Sequence, residues 1–398
     1  MNKISAVIKK NMLQEIKLNN GFTRNEISAH MHLRFPTVAK FTQALVNEGW
    51  IIESDAQDSS GGRKPRVLQI NPKVVSGIGI DLGINSIRLV LCDLSGEISF
   101  RQEYKIKGSV PVVNQLKAII KEVTGKFRKI AIKCIGIGSN GFVNYLSGRS
   151  IYSTHMAGLD DIPLKDIIEK EFGIYTAVDD ISRVFAFAES QPGARAPKTD
   201  FVYIFLDSGI GCGIFLDGKL LRGDIGVSGE IGHIKVSDNG IRCGCGNTGC
   251  LETYASTISI VRQVKEAIAQ GVHCSLSGKS GISIDDIIKA AREGDKLALS
   301  VMTEAAEHVG KVCANVLNIF GIKSIVIGGK LKEAGELVLG PVRRIVKEQS
   351  LGLLANETEI KASSLNDDGG AVGAGLLALN SLFDSGEIYK IKSIRGEK

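Results

Sequence analysis

The first apolar pattern along the chain has helical spacing. Between Ser5 and Asn19, Val7, Ile8, Met12, Leu13 and Ile16 recur at intervals that line one helix face, and Asn20-Gly21 supplies a pair that tolerates positive φ at its end. Thr23 and Glu26 form a T-x-x-E capping box for a short second helix closing near Met31. A turn through His32-Leu33 leads to a third helix with Val38, Phe41, Leu45 and Val46 on one face. Pro36 sits in its first turn, where a missing amide costs little, and Gly49 is its stop. Arg34, Thr37 and Lys40 fall on the other face. The period then shortens: Trp50-Ile51-Ile52, a polar loop ending in SSGGRKPR, and the strand Val67-Leu68-Gln69-Ile70. Three short helices followed by strand, loop and strand predict a winged helix-turn-helix, whose third helix enters a major groove. Arg34, Thr37 and Lys40 become candidate DNA contacts, joined by Arg63 and Lys64 of the loop, which can reach phosphates or a minor groove.

Charge supports that reading. Residues 1–75 hold eleven Lys and Arg against six Asp and Glu, so five of the chain's six net positive charges sit in its first fifth. Such asymmetry suits a polyanionic partner, although solvated surface lysines give the same count. The length of 398 residues predicts two or three domains, and 43% hydrophobic content is ample to build their cores. No apolar run approaches a membrane span, and the charged start MNKISAVIKKNMLQEIK does not read as a signal peptide, so the cytoplasm is the expected compartment, without a membrane partner.

Beyond Asn71-Pro72 the pattern changes to Val- and Ile-rich strands punctuated by glycines. GIGIDLGINSIRLVLCDLSGEI has the form strand, D-x-G turn, strand, the phosphate-facing hairpin of actin-like ATPases. Five of eight cysteines, Cys92, Cys134, Cys212, Cys274 and Cys313, are scattered through apolar surroundings as expected of buried thiols. The rest cluster: His233, Cys243, Cys245 and Cys250 follow an H-x9-C-x-C-x4-C spacing among glycines, a closed set of donors for one structural zinc.

In this order, the helix-turn-helix, G-R-x-P loop, D-x-G hairpin, G-E-I-G-H, cysteine cluster and C-L-E resemble the ROK family of bacterial repressors, open reading frames and sugar kinases. The resemblance spans nearly the whole chain. It implies an α/β protein in which an N-terminal winged helix-turn-helix (residues 1–75) precedes a two-lobed actin-like ATPase, or ribonuclease-H-like, sugar-kinase fold. The first lobe is expected over 76–195, the second, with the zinc site, over 196–365, and a helix returning to the first lobe over 366–398. The resemblance also implies a sugar pocket. Glu230 and Glu252 match positions that accept hydrogen bonds from sugar hydroxyls, His233 can face the sugar with its second nitrogen, and Asp180 matches the kinases' catalytic base. Asp179 stands where the family usually has Asn, Asn140 replaces a proline, and His155 replaces an asparagine that meets the sugar.

The loops that hold nucleotide in the kinases depart further. D-x-G-G-T is here Asp81-Leu82-Gly83-Ile84-Asn85, and G-T-G-x-G is Asp207-Ser208-Gly209-Ile210-Gly211. Gly328-Gly329 keep the third loop's glycine pair, followed by Lys330. A carboxylate about 4 Å from phosphate repels it by ~1 to 4 kcal/mol, so MgATP is not expected to bind. The expected protein is therefore a sugar-responsive regulator, a homodimer or dimer of dimers, in which sugar closes the kinase-like cleft and alters the spacing of two DNA-binding modules on an operator. An ATP-dependent sugar kinase carrying a DNA-binding domain is the alternative, and a regulator that senses a protein partner is a third reading.

Overall fold

The computed structural model describes residues 3–19, 21–55, 66–191 and 200–385. Arg63 and Lys64 of the expected wing, and the tail from Gly386 onward, lie outside them. The N-terminal part consists of α1 (Lys3–Leu18), β1 (Phe22–Thr23), α2 (Arg24–His30), α3 (Phe35–Asn47), β2 (Ile51–Asp55) and β3 (Arg66–Ile70). Its three strands pair antiparallel in the order β1-β3-β2. The capping box of α2 is formed: Glu26 N–H donates to Thr23 Oγ1 at 3.3 Å and Thr23 N–H to Glu26 Oε2 at 2.7 Å. α3 buries Val38, Thr42 and Leu45 and stops at Glu48, with Gly49 at φ +80° beyond it. Arg34 is not on the helix: it is the N-cap, in extended conformation, and its exposed side chain projects from the helix tip.

Two five-stranded sheets follow. The first is built from β4 (Ser76–Leu82), β5 (Ser86–Asp93), β6 (Ile98–Lys105), β7 (Ile132–Ser139) and β10 (Tyr175–Asp180). Between these strands lie α4 (Val112–Lys126), the small hairpin β8 (Phe142–Asn144) and β9 (Arg149–Tyr152), and α5 (Leu164–Phe172), and α6 (Ile181–Glu189) follows β10. The second sheet uses β11 (Phe201–Leu206), β12 (Ile210–Leu216), β13 (Lys219–Leu220), β14 (Ser324–Gly328) and β15 (Glu359–Ala362). Its helices are α7 (Glu252–Ala255), α8 (Thr257–Ala269), α9 (Ile284–Arg292), α10 (Lys296–Phe320), α11 (Glu336–Gln349) and α12 (Gly352–Glu357). The strand orders, β10-β7-β4-β5-β6 and β13-β12-β11-β14-β15, are the same pattern: an antiparallel three-strand meander whose first strand is flanked by two parallel strands. This duplication is the two-lobed actin-like arrangement, with a cleft between the lobes.

The last helix, α13 (Gly369–Ser385), returns to the first sheet and packs on β4, β7 and α6. Contact is backbone to backbone. A Cβ added at Gly79 of β4 would lie 1.9 Å from the Ala371 carbonyl oxygen, and one at Gly136 of β7 would lie 1.8 Å from that of Ala374. On its other side, a Cβ added at Gly373 of α13 would lie 2.5 Å from the Val184 carbonyl oxygen and 3.0 Å from the Ala188 Cβ of α6. At its far end α13 meets the N-terminal part: the Phe383 ring takes the edge of Trp50 at 6.4 Å and the Lys17 ammonium at 4.8 Å from its centroid. One apolar cluster thus runs from Met12, Leu45 and Trp50 through α13 into the first lobe. Short polar ties secure the junction, with Asn71 Nδ2 donating to Gly49 O at 2.8 Å and Leu94 N–H to Pro72 O at 3.1 Å. Of the scattered cysteines, Cys92, Cys134, Cys212 and Cys313 are buried, but Cys274 is half-buried, because it sits on the loop between α8 and α9. No helix among the described residues is long and apolar enough to cross a membrane.

Gly136→Ala is expected to destabilise the chain by about 3 kcal/mol or more, since strand and helix cannot both keep their positions. Urea unfolding of the variant beside the parent measures it, with Gly125→Ala, where a Cβ meets nothing within 4 Å, as the control.

Candidate functional site

Two neighbouring cavities occupy the cleft. The smaller, of about 40 Å³, is lined by Asn140, His155, Asp180, Glu230, His233 and Glu252 among others, so six side chains from five separate stretches of sequence converge on it. α6 begins there because Asp180 caps it, Oδ1 accepting from Ser182 N–H at 2.9 Å and Arg183 N–H at 3.3 Å. Glu252, at the start of α7, accepts from Ile210 N–H at 2.9 Å with one oxygen and lies 3.3 Å from His155 Nε2 with the other. Burial, with help from nearby Asp180, pushes the Glu230 carboxyl up to about 8, and burial also raises Asp180. A carboxyl such as Glu230, protonated at neutral pH, donates as well as accepts hydrogen bonds, which suits vicinal hydroxyl groups better than an anionic ligand.

Asp179, grouped with these residues on sequence, does not face the cavity. It is fully buried, with Oδ1 2.6 Å from Arg183 Nε and Oδ2 3.2 Å from Arg222 Nε. Alternation along β10 forces this, because neighbouring side chains point to opposite faces. The sequence does not single out Arg183, because Asp179 lies on β10 and Arg183 on α6, and helical spacing does not link residues across that boundary. Arg183 is fully buried and donates to Val143 O at 3.1 Å and Ser228 O at 2.7 Å, joining the two sides of the cleft. Arg222 completes the knot, its guanidinium 3.8 Å above the Tyr145 ring.

The donors of the cysteine cluster converge. The Nδ1 atom of His233 is 3.6 Å from Cys243 Sγ, Cys245 and Cys250 sulfurs are 3.7 Å apart, and all four donor atoms lie within 4.8 Å of one another. Tetrahedral metal–donor bonds of 2.0–2.3 Å put donors about 3.6 to 3.8 Å apart, so the group fits one metal ion. It also abuts the small cavity: the Tyr152 hydroxyl donates to Gly244 O at 3.1 Å, and the Phe142 ring stacks on His233 at 5.1 Å.

The larger cavity, of about 500 Å³, is lined by Asp81, Gly83, Asp207, Ser208 and Gly329, with Arg88, Phe205 and Lys330. Gly209 instead borders the smaller cavity, and Gly328 lies behind the larger one, where a Cβ would strike the Tyr203 hydroxyl. Asp207 is the informative residue. Its Oδ1 accepts from Ser208 N–H at 2.7 Å and its Oδ2 from Lys330 N–H at 3.2 Å, so one carboxylate takes backbone donors from two glycine loops at once. Asp81, 5% exposed, points into the same space and is pushed up to about 7, mainly by burial, against the pull of Arg88.

Fold and site together define a duplicated actin-like domain with a small cavity lined by carboxyl groups and a Cys₃His group that could hold a metal ion, preceded by three short helices and a small antiparallel sheet. The chain belongs to the ROK family, whose model matches residues 77–381. It is 31% identical to a xylose repressor from Caldicellulosiruptor bescii over 92% of this chain and 94% of that protein. Among solved structures it resembles a ROK family transcriptional regulator, a homologue of the Escherichia coli MLC protein, with a TM-score of 0.84, 28% identity and coverage of 99% of this chain and 100% of that one. A ROK family glucokinase from Streptomyces griseus, solved with glucose and AMPPNP, is similar over 77% of this chain and 99% of its own, with 31% identity and a TM-score of 0.68.

Asp81→Asn has a signed pH effect. A carboxyl whose pKa is raised by folding favours the folded state at low pH, and that advantage is lost as pH climbs from about 4 to about 7. The variant should therefore gain stability over the parent across that window, by up to ~4 kcal/mol, and hold a constant difference above it. Denaturant melts at pH 4, 6 and 8 measure the trend.

Proposed function

We propose that this chain is a sugar-responsive transcriptional repressor that binds operator DNA through its N-terminal part and a small carbohydrate in the smaller cavity without phosphorylating it. The observation that carries this reading is the contrast across one cleft. On one side Asp180, Glu230, Glu252, His155 and Asn140 surround a space suited to hydroxyls; on the other, Asp207 already holds amides that a nucleotide's phosphates would need. Full-length similarity to a xylose repressor and to a ROK transcriptional regulator supports it. The kinase reading draws on the open 500 Å³ cavity and on Asp180, the position of a catalytic base.

Coupling follows from connectivity. The smaller cavity has room for about three water molecules, so a pentose or hexose must change the separation of the lobes to enter. The small volume supports a cleft that yields to admit the sugar before it closes on it. Asp180 caps α6, α6 packs on Gly373 of α13, and Phe383 of α13 touches Trp50. Movement at the sugar thus reaches the helix-turn-helix through one rigid helix. In a homodimer, two such modules meet successive major grooves about 34 Å apart, and a change in their separation alters operator affinity. The 1–75, 76–195, 196–365 and 366–398 divisions are proposed as the units that move.

His233 Nδ1 with Cys243, Cys245 and Cys250 would hold a structural zinc, leaving His233 Nε2 for the sugar side. Four protein donors close such an ion's coordination, so its contribution is rigidity. Arg34 at the tip of α3 and Lys40 on its face are exposed and have no ion-pair partner among the described residues, and Thr37 between them is half-buried, an arrangement that leaves both cations free for DNA.

Melting temperatures of the full chain with a panel of pentoses, hexoses and N-acetylhexosamines, without ATP, should rise for one sugar and not for the others, and Glu252→Gln should abolish the rise. ATP consumption with that sugar at an ordinary enzymatic rate would establish the kinase instead. Cys245→Ser should lose one equivalent of zinc by mass spectrometry and weaken the same sugar; full metal retention would remove Cys245 from the ligand set.

A further inference from the structure

The tip of α3 presents two apolar residues where a DNA-reading helix normally presents hydrogen-bonding ones. Phe35, its first residue, is 48% exposed, Pro36 beside it is exposed, and the cationic side chains of Arg34 and Lys40 flank them. A large aromatic ring left in water on a small module costs free energy that the fold does not recover. The nearby core is complete without it, since Val38, Thr42 and Leu45 are the α3 residues that are buried. No aromatic partner of Phe35 is formed among the described residues.

We infer that Phe35 is a specificity-determining residue that packs against the C5 methyl of thymine in the major groove of each operator half-site. The inference rests on the DNA-binding reading given above and deepens it. Phe35 and Pro36 have no side-chain donor or acceptor, so neither can read the hydrogen-bond pattern of a base edge. Thymine's methyl is the one apolar feature on the major-groove edge of the four bases. First-turn residues of a recognition helix are those that reach base edges. Arg34 and Lys40 supply the phosphate attraction that brings the apolar tip into the groove, and this attraction is independent of sequence.

Uracil provides the test, because it differs from thymine only by that methyl. Duplexes are selected from a random-sequence library with the full-length chain, and each thymine of the selected half-site is then replaced by uracil. At one or two adjacent positions the replacement should weaken binding about fourfold for each methyl removed. Phe35→Ala should bind thymine and uracil duplexes alike, Phe35→Leu should keep part of the difference, and Lys40→Ala should keep all of it while binding both more weakly. The inference is overturned if uracil costs nothing at any position, as a ring wedged between base steps would behave, or if Phe35→Ala retains the thymine preference. Failure to select any sequence would remove the DNA-binding reading and this inference with it.

Discussion

The approach of α13 to the first sheet governs how the molecule's functional parts are joined. Two strand glycines, Gly79 and Gly136, let carbonyl oxygens of the helix come so near that no side chain fits between. The resulting contact has little slack, because close-packed backbone cannot be compressed and has few neighbouring minima to slide into. The same helix touches α6, whose first residue follows the Asp180 cap, and carries Phe383 to Trp50 and Lys17 of the N-terminal part. A rigid rod anchored at both ends transmits displacement, whereas a flexible tether would absorb it. Short connections at Asn71 and Pro72 strengthen that link.

Electrostatics divides the cleft into two chemical environments. Around the smaller cavity, buried carboxyls with raised pKa values favour a neutral partner rich in hydroxyls, since an arriving anion would push the neighbouring carboxyls further from ionisation and lose its own hydration. Around the larger one, Asp207 satisfies two backbone donors internally, and a phosphate arriving there would have to displace it. Arg183 balances much of the buried charge, pairing with Asp179 and holding carbonyls on both sides of the cleft. Removing it would leave a fully buried carboxylate with one partially exposed guanidinium, the costly half of a broken ion pair.

A good part of this was legible in the chain itself. The helices of the N-terminal part follow from apolar spacing and a capping box, both local properties. The Cys₃His donor set follows from four donors within 18 residues of one another, close enough for a glycine-rich chain to bring them together. Six of the polar residues that line the smaller cavity follow from motif resemblance. Motif resemblance does not separate Asp179 from Asp180, because strand alternation decides which of two adjacent aspartates faces the cleft, and apolar spacing does not show that the third helix starts one residue after Arg34.

The order of residues alone settles whatever depends on neighbours along the chain: periodicity, caps, turn glycines, ligand spacing and the substitutions in the glycine loops. Long-range packing sets the rest: Asp207 turns its carboxylate onto the amides of its own loop and of Lys330, 123 residues away, Arg183 bridges Val143 and Ser228, and Phe383 meets Trp50. Each of these depends on the direction of a side chain relative to a distant segment. That direction is fixed by close packing of the whole lobe, a property no local stretch of residues carries.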